Sequence, residues 1–274
     1  MAMTGSEQED YGVGDPLSLD TGTAHIARVY DYWLGGKDHF AVDREAGDEA
    51  LEAFPGLISS VRANRAFLAR TVRYLAGEAG IRQFLDIGTG IPSPDNTHEV
   101  AQSIDPSSRV VYVDNDTMVL AHARALLRGD PQGRTAYVDA DLREVGKILD
   151  EAATVLDFGQ PVAVMLVAVL HLIPDADQPA DIVRRLMASM PPGSSLTISH
   201  VPSDMRAGEM SAMSDRLNRL LSQPSTYRDR ATVTGFFDGL ELVPPGVVPI
   251  QEWRSTPEEA AAVAAMWGGV ALKK

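Results

Sequence analysis

The sequence predicts an α/β fold in which helices cover both faces of a parallel, doubly wound sheet. Short apolar segments alternate with amphipathic segments between residues 83 and 200, and this alternation is typical of strand–helix–strand units. Residues 162–170 are nearly all apolar, as expected for a strand that is covered on both faces. Residues 83–87 run into a Gly-Thr-Gly turn, and glycine lets a chain bend tightly and approach a ligand closely. Together these observations indicate a ligand site where the parallel strands end.

The composition restricts the class of protein. The chain has 274 residues, of which 45% are hydrophobic, so it can bury a large core. Its formal net charge is −14, which argues against a protein that binds nucleic-acid phosphates. The absence of cysteine excludes disulfides, thiolate zinc sites and cysteine nucleophiles. Because the sequence has no signal-peptide pattern and no apolar run of about 18 residues, we expect a cytoplasmic protein without a membrane partner.

The first 80 residues are expected to form a tail and a helical lid segment. Residues 1–22 are polar, acidic and glycine-rich, which predicts a mobile tail. In the segment 23–80, apolar and aromatic residues follow at helical spacing before a glycine pair, namely Ile26, Val29, Tyr30 and Trp33. This segment is either an ordinary helix with a solvated turn, or a lid that closes over an anionic ligand. In the second case Tyr30, Gly36 and Lys37 would contact the ligand.

The main domain is expected to span residues 81–274, after a helix over residues 57–79 whose arginines mostly face solvent. Asn96 and Glu99 resemble a capping box for a helix over residues 97–104, whose amino end would face the first strand. Further strands are predicted over residues 109–114, 135–138, 162–170 and 196–199. Further helices are predicted after Asp116 and over residues 180–190 and 210–221.

The last part of the main domain predicts a hairpin and a helix. Residues 239–243 and 247–250 flank a Pro-Pro-Gly turn and would form an antiparallel pair at the sheet edge. A capped helix would begin at Thr256 and end at the glycine pair Gly268-Gly269.

Three predicted strands end in or near an aspartate, namely Asp86, Asp114 and Asp141. Because the carboxyl ends of parallel strands meet at one edge of a sheet, these acids are expected to lie side by side. Asp114 follows Gly90 by 24 residues, close to the offset at which a carboxylate binds ribose hydroxyls in nucleotide-binding folds. The alternative is that each acid only caps a helix. A nicotinamide or flavin site is disfavoured because Ser93, between two prolines, replaces the third glycine of a pyrophosphate turn.

The segment 86–90 followed by Asp114 and Asp141 resembles the Rossmann-like, S-adenosylmethionine-dependent methyltransferases. More narrowly, the chain is similar to an actinobacterial S-adenosyl methyltransferase family, long described as a domain of unknown function. Five motifs carry this resemblance: RVYDYWLGGKD (28–38), LDIGTG (85–90), NTHEVAQ (96–102), VYVDND (111–116) and PGS (192–194). The resemblance implies a seven-stranded sheet with an antiparallel last strand and S-adenosylmethionine as the cofactor.

The resemblance also implies roles for individual residues. Asp86, Gly88 and Gly90, with Thr89 between the glycines, would bind the methionine end of the cofactor. Asp114 would bind the ribose hydroxyls, Asn115 would lie beside the adenine, Asp141 would face its amine, and Leu142 would lie against its ring. Asn96 and His98 are further candidates for the methionine carboxylate.

The sequence defines the methyl acceptor less closely than it defines the cofactor. His171 and His200 follow two predicted strands and are candidate general bases, although each is equally consistent with a loop hydrogen bond. No cluster of residues has metal-ligand spacing, so no metal is expected. The sequence favours a methyltransferase that acts on a small molecule. The alternative is a protein that binds S-adenosylmethionine or S-adenosylhomocysteine as a sensor or scaffold without turnover.

Overall fold

The computed structural model describes residues 21–116, 118–119 and 129–274. Nearly all of the predicted tail and most of the helix predicted after Asp116 therefore lie outside the described residues. No helix in the described part of the chain is long and apolar enough to cross a bilayer.

One mixed sheet of eight strands lies at the centre of the described structure. The strands are β1 (Gln83–Ile87), β2 (Arg109–Asp114), β3 (Arg134–Asp139), β4 (Ala163–Val167), β5 (Ser195–His200), β6 (Glu241–Leu242), β7 (Val248–Pro249) and β8 (Trp267–Leu272). Their order is β3-β2-β1-β4-β5-β8-β6, and β7 also pairs with β8. Strands β1 to β5 are parallel, whereas β8 runs antiparallel to β5, β6 and β7. The predicted mostly parallel sheet with an antiparallel last strand is confirmed.

Helices pack on both faces of this sheet. They are α1 (Ile26–Leu34), α2 (Ala41–Ala53), α3 (Leu57–Gly77), α4 (Thr97–Ile104), α5 (Val145–Ala152), α6 (Pro179–Ala188), α7 (Ala207–Leu220), α8 (Arg230–Gly235) and α9 (Pro257–Ala260). Successive side chains of a strand point to opposite faces. Phe84 of β1 accordingly packs with α3 and α4, whereas the next residue, Leu85, packs with α5 and α6.

The first two helices belong to a cap with its own hydrophobic cluster. Val29 and Trp33 of α1 pack with small residues of α2, with the start of α3 and with Met213 and Leu217 of α7. A buried ion pair joins the two helices, with Arg28 Nε 2.9 Å from Asp43 Oδ2. The helices of the predicted lid segment therefore share one hydrophobic cluster, to which α7 also contributes.

The sequence analysis did not identify α2. Its buried residues are small or charged, namely Asp43, Ala46, Gly47 and Ala50, and so it has no stripe of large apolar side chains. Gly47 has no room for a side chain, because a Cβ there would lie 2.6 Å from the Tyr32 ring. Hydrophobic periodicity does not detect a helix like this one, which packs closely but lacks large apolar residues.

The strand predicted over residues 162–170 is shorter in the structure. β4 ends at Val167, the next residue Ala168 has a φ of 56°, and Leu170–Leu172 form a 3₁₀ turn. The prediction that His171 ends a strand is therefore wrong, because the left-handed backbone at Ala168 terminates β4 first.

Two predictions for the carboxyl-terminal part were also wrong. β6 and β7 do not pair with each other, because β8 pairs with both of them. The helix that starts after Thr256 ends at Ala260, and Gly268 and Gly269 lie inside β8 instead of ending a helix. Gly268 is needed for packing, since a Cβ there would lie 2.6 Å from Ile250 and 3.0 Å from Phe67.

Candidate active site

A cleft runs along the carboxyl ends of β1 to β4, beneath helix α1. It encloses about 1090 Å³, counting the part that is open to solvent. At the start of α1, His25 Nδ1 lies 2.8 Å from Asp116 Oδ2, just after β2. One turn later, Tyr30 Oη accepts a 3.0 Å hydrogen bond from Asn64 Nδ2 of α3. Helix α1 therefore crosses above the sheet edge and roofs the cleft.

Glycine is present at two positions of the turn after β1 for different structural reasons. Both have positive φ, 75° at Gly88 and 67° at Gly90. A Cβ at Gly88 would lie 2.4 Å from Val169 Cγ2, so Gly88 is needed for the packing of the loop after β4. A Cβ at Gly90 would meet no atom within 4 Å, because Gly90 borders open space in the cleft. Thr89 also lines the cleft, and its hydroxyl donates to the carbonyl of Asp86.

Asp86 is a buried carboxylate in the floor of the cleft. Its Oδ2 accepts a 2.6 Å hydrogen bond from Thr97 Oγ1 at the start of α4. Burial raises the pKa of Asp86 to about 6, although the Thr97 hydrogen bond and the nearby Arg65 charge oppose this rise. A positively charged group of a ligand would be stabilised beside such a carboxylate.

The two other aspartates line the same cleft. Asp114 accepts hydrogen bonds from the backbone N–H of Gly90, at 2.9 Å, and of Asp116, at 3.0 Å. Burial raises the pKa of Asp114, and these two N–H groups oppose the rise. Asp141 is bonded differently, since its Oδ2 lies 2.7 Å from Arg143 Nη1.

The residues beside these acids complete this end of the cleft. Asn115 donates a 3.2 Å hydrogen bond to Asp141 Oδ2, and the buried Leu142 provides an apolar wall. Asp86, Asp114 and Asp141 therefore line one cleft, although Asp141 lies two residues beyond the end of β3.

Arg65 of α3 is a cleft residue that the sequence analysis missed. Its Nη2 donates to the carbonyls of Pro94 and Asp95 in the loop after β1, at 3.0 and 3.2 Å. Its Nε is buried without a hydrogen-bond partner in the described structure. A buried guanidinium nitrogen without a partner is costly unless a ligand atom accepts from it. The sequence predicts that most arginines of this helix face solvent, and the spacing of Arg65 does not distinguish it from the others.

Four predicted cofactor residues do not line the cleft. Gly36 packs on Asp31, because a Cβ at Gly36 would fall on that carboxylate, and Lys37 is exposed. Asn96 caps α4, with its N–H donating to Glu99 Oε2 at 2.8 Å. His98 faces away from the cleft, with its N–H and its Nδ1 each 2.8 Å from Tyr112 Oη.

The two predicted general bases do not line the cleft either. His200 Nδ1 lies 2.8 Å from the carbonyl of Val201, and its Nε2 lies 3.0 Å from Arg228 Nη1. His171 packs edge-on against His200, and its Nδ1 is buried without a hydrogen-bond partner in the described structure. Burial lowers the pKa of His171 to about 3 and that of His200 to about 4. Both histidines are therefore neutral parts of a buried cluster around Arg228.

Comparison with known proteins identifies the family to which the chain belongs. A family model described as S-adenosyl methyltransferase matches residues 14–274. The chain belongs to this S-adenosyl methyltransferase family. It is therefore a SAM-dependent methyltransferase, and its cofactor is S-adenosylmethionine.

Solved structures support the family assignment. A DUF574 family protein from Streptomyces avermitilis is 45% identical, with a TM-score of 0.90, and the match covers 93% of this chain and 99% of that chain. A Thermobifida fusca protein is 39% identical, with a TM-score of 0.85 over 96% of this chain and 100% of that chain. The mitomycin 7-O-methyltransferase MmcR, at 16% identity and a TM-score of 0.51 over 77% of this chain and 54% of that chain, shares the fold alone. A search of curated proteins found no match.

Proposed function

We propose that this methyltransferase transfers the methyl group of S-adenosylmethionine to a small molecule bound in the cleft beneath α1. The observation that carries the proposal is the convergence of Asp86, Asp114 and the glycine turn in one roofed cleft. Because a helix closes the cleft from above, we expect the acceptor to be small enough to enter the cleft completely. A nucleic-acid duplex is too large to do so. The net charge of −14 also disfavours nucleic acid as the acceptor.

Two features of the cleft fit the cofactor. Gly90 borders open space in the cleft that Asp114 and Asn115 also line, and we assign this space to the ribose and the adenine. Asp86 and the unpartnered Nε of Arg65 offer opposite charges, which suits the ammonium and carboxylate of a methionine group. Asp141 and Leu142 would then border the adenine.

The carboxylate and the ammonium of the methionine group would be held by different structural elements. We assign the ammonium to Asp86 of β1 and the carboxylate to Arg65 of α3, with the backbone of Gly88 and Thr89 between them. The bound cofactor supplies a methyl group already activated by a sulfonium. The contribution of this chain is to align the acceptor beneath α1 and to exclude water, and proximity of this kind accounts for much of an enzymatic rate enhancement.

Calorimetric titration with S-adenosylhomocysteine tests the assignment of the cofactor site. We expect Asp114→Asn to weaken binding by about 1–3 kcal/mol, because a buried carboxylate that accepts ligand hydroxyls is lost. Asp139→Asn is the matched control, since Asp139 ends the neighbouring β3 but is exposed and outside the cleft. Native chain that binds no S-adenosylhomocysteine at millimolar concentration would contradict the proposal.

A further inference from the structure

Four apolar side chains that line the cleft are not used in the proposed cofactor site, and we call them its apolar end. Ile26 and Leu34 come from α1, and Leu172 and Ile173 come from the loop after β4. Leu172 is partly exposed, whereas Ile173 is buried. An apolar pocket with few polar groups is typical of a site for a small organic molecule.

The charges around the cleft restrict what this apolar end can bind. Among the described residues that line the cleft, the basic side chains are those of His25 and Arg65. His25 is paired with Asp116, and Arg65 is assigned above to the carboxylate of the cofactor. With the cofactor bound, the described residues of the apolar end therefore offer no further cation to an anionic acceptor. Asp31 of α1 also lines the cleft, but its Oδ2 already has partners, the N–H of Asp38 at 2.9 Å and His39 Nδ1 at 3.0 Å. The apolar end therefore favours a neutral molecule over an ammonium compound.

A chain of hydrogen bonds determines whether the hydroxyl of Tyr30, which also lines the cleft, donates or accepts. The backbone N–H of Ala168 can only donate, and it is shared between the carbonyl of Ser199, at 3.1 Å, and Ser199 Oγ, at 3.0 Å. Ser199 Oγ donates in turn to Asn64 Oδ1 at 2.7 Å, which leaves the Asn64 amide to donate to Tyr30 Oη at 3.0 Å.

Tyr30 is left with its own proton to donate. Its acceptor in the structure is the carbonyl of Val61 at 3.4 Å, near the outer limit of a hydrogen bond. Burial raises the pKa of Tyr30, so the hydroxyl keeps this proton at neutral pH. A ligand oxygen in the cleft would be a better acceptor than Val61.

We propose that the apolar end of the cleft binds a neutral, mainly apolar molecule that places one oxygen against Tyr30 Oη. This specifies the class of molecule that the cleft binds beside the cofactor, and it rests on the function proposed above. Phenols and other uncharged hydroxyl or carbonyl compounds belong to this class. Carboxylates, phosphates and ammonium compounds do not.

The test uses the full chain saturated with S-adenosylhomocysteine at neutral pH, titrated calorimetrically with three probes of one shape. The probes are 2-naphthol, 2-naphthoate and 2-(aminomethyl)naphthalene. We expect 2-naphthol to bind, and the two charged probes to bind at least about tenfold more weakly because their charges would be desolvated without a partner. Equal binding of the carboxylate, or displacement of S-adenosylhomocysteine by 2-naphthol, would overturn the inference.

Two variants make the test specific to the residues named. Tyr30→Phe should weaken 2-naphthol about threefold to tenfold through loss of one hydrogen bond, whereas Tyr32→Phe should not. Tyr32 is a suited control because its hydroxyl bonds to Asp48 outside the cleft. Leu172→Arg should reverse the preference, so that 2-naphthoate binds more tightly than 2-naphthol.

The outcomes separate this inference from the proposed function. Binding of S-adenosylhomocysteine without binding of 2-naphthol would overturn the proposed class of molecule alone. Equal losses in Tyr30→Phe and Tyr32→Phe would do the same. Failure of S-adenosylhomocysteine to bind the native chain would instead overturn the cofactor site.

Discussion

At the scale of single residues, the glycine turn after β1 shows how similar sequence positions acquire different physical roles. Gly88 and Gly90 both adopt backbone angles that L-residues disfavour. Only Gly88 is also enclosed, because Val169 packs against its Cα, while Gly90 faces the open cleft. The pattern Gly-Thr-Gly predicted the turn but not this difference, since the partner of Gly88 lies far away in the sequence.

Alanine substitution should separate these two roles. We expect Gly88→Ala to lower the free energy of unfolding by about 2–4 kcal/mol, through left-handed strain and overpacking against Val169. Gly90→Ala should lower it by only about 1–2 kcal/mol, because only the strain remains. Urea unfolding measures both, and Val169→Ala added to Gly88→Ala should restore part of the loss. Equal losses in the two single variants would show that Val169 does not constrain Gly88.

The buried histidines predict a particular dependence of stability on pH. The pKa of His171, about 3, and that of His200, about 4, lie below the ordinary value of 6.5 in an unfolded chain. Between these values the unfolded chain binds protons that the folded chain does not, so stability is lost as the pH falls below 6.5. Asp86 acts in the opposite direction below pH 6, because its pKa is raised on folding.

Replacing His171 isolates one contribution to this dependence. His171→Leu also removes the unpartnered Nδ1, so the variant should be about as stable as the native chain at pH 7. Between pH 6.5 and 4.5 the native chain should lose about 2 kcal/mol relative to the variant, as measured by urea unfolding at each pH. Parallel curves for the two proteins would mean that His171 titrates normally.

At the scale of elements, local signals predicted some segments well and others not at all. β1, α4 and β2 have the bounds that their apolar runs and the Asn96–Glu99 cap predicted. In contrast, the sequence predicts that a helix ends at Gly268 and Gly269, because glycines are ordinary stop signals for a helix. These glycines lie in a strand since Ile250 and Phe67 approach it closely, which is a tertiary cause that no local pattern contains.

The docking of α1 depends on one buried carboxylate, which gives a prediction for this element. Asp43 accepts from Arg28 Nε at 2.9 Å, from the N–H of His25 at 2.9 Å and from the N–H of Phe40 at 2.8 Å. We expect Asp43→Ala to lower the free energy of unfolding by about 3–5 kcal/mol, because Arg28 is left buried without its partner.

Asp48→Ala is the control for this prediction, since Asp48 lies on the same helix but its Oδ1 accepts from the Tyr32 hydroxyl near the protein surface. It should cost less than about 1 kcal/mol. A loss in Asp43→Ala no larger than that in Asp48→Ala would show that the ion pair does not hold α1.

At the scale of the whole molecule, the cleft is assembled from segments that lie far apart in the chain, from His25 to Gln223. The order of the strands brought Asp86, Asp114 and Asp141 to one edge, and this much could be predicted from the sequence. The roles of Arg65, Asn64 and Ser199 could not, because each depends on how α3 lies across the sheet.

A site built this way exists only in the folded chain, so the cofactor should stabilise the fold as a whole. With S-adenosylhomocysteine at 100 times its dissociation constant, we expect the free energy of unfolding to rise by about 2.7 kcal/mol. Denaturant unfolding with and without the ligand measures this, and at the same ligand concentration Asp114→Asn should gain less. An unchanged midpoint for the native chain would indicate binding to the unfolded chain as well.

The shared hydrophobic cluster of α1, α2 and α7 has a practical consequence for anyone who shortens this protein. Phe67 and Leu75 of α3 cover one face of the sheet, and Met213 of α7 packs in the cap cluster. A fragment that begins at residue 81 would therefore carry a bare sheet face and a bare helix face, and we expect it to aggregate. The amino-terminal third is therefore needed to cover the core of the rest of the protein and should not be removed.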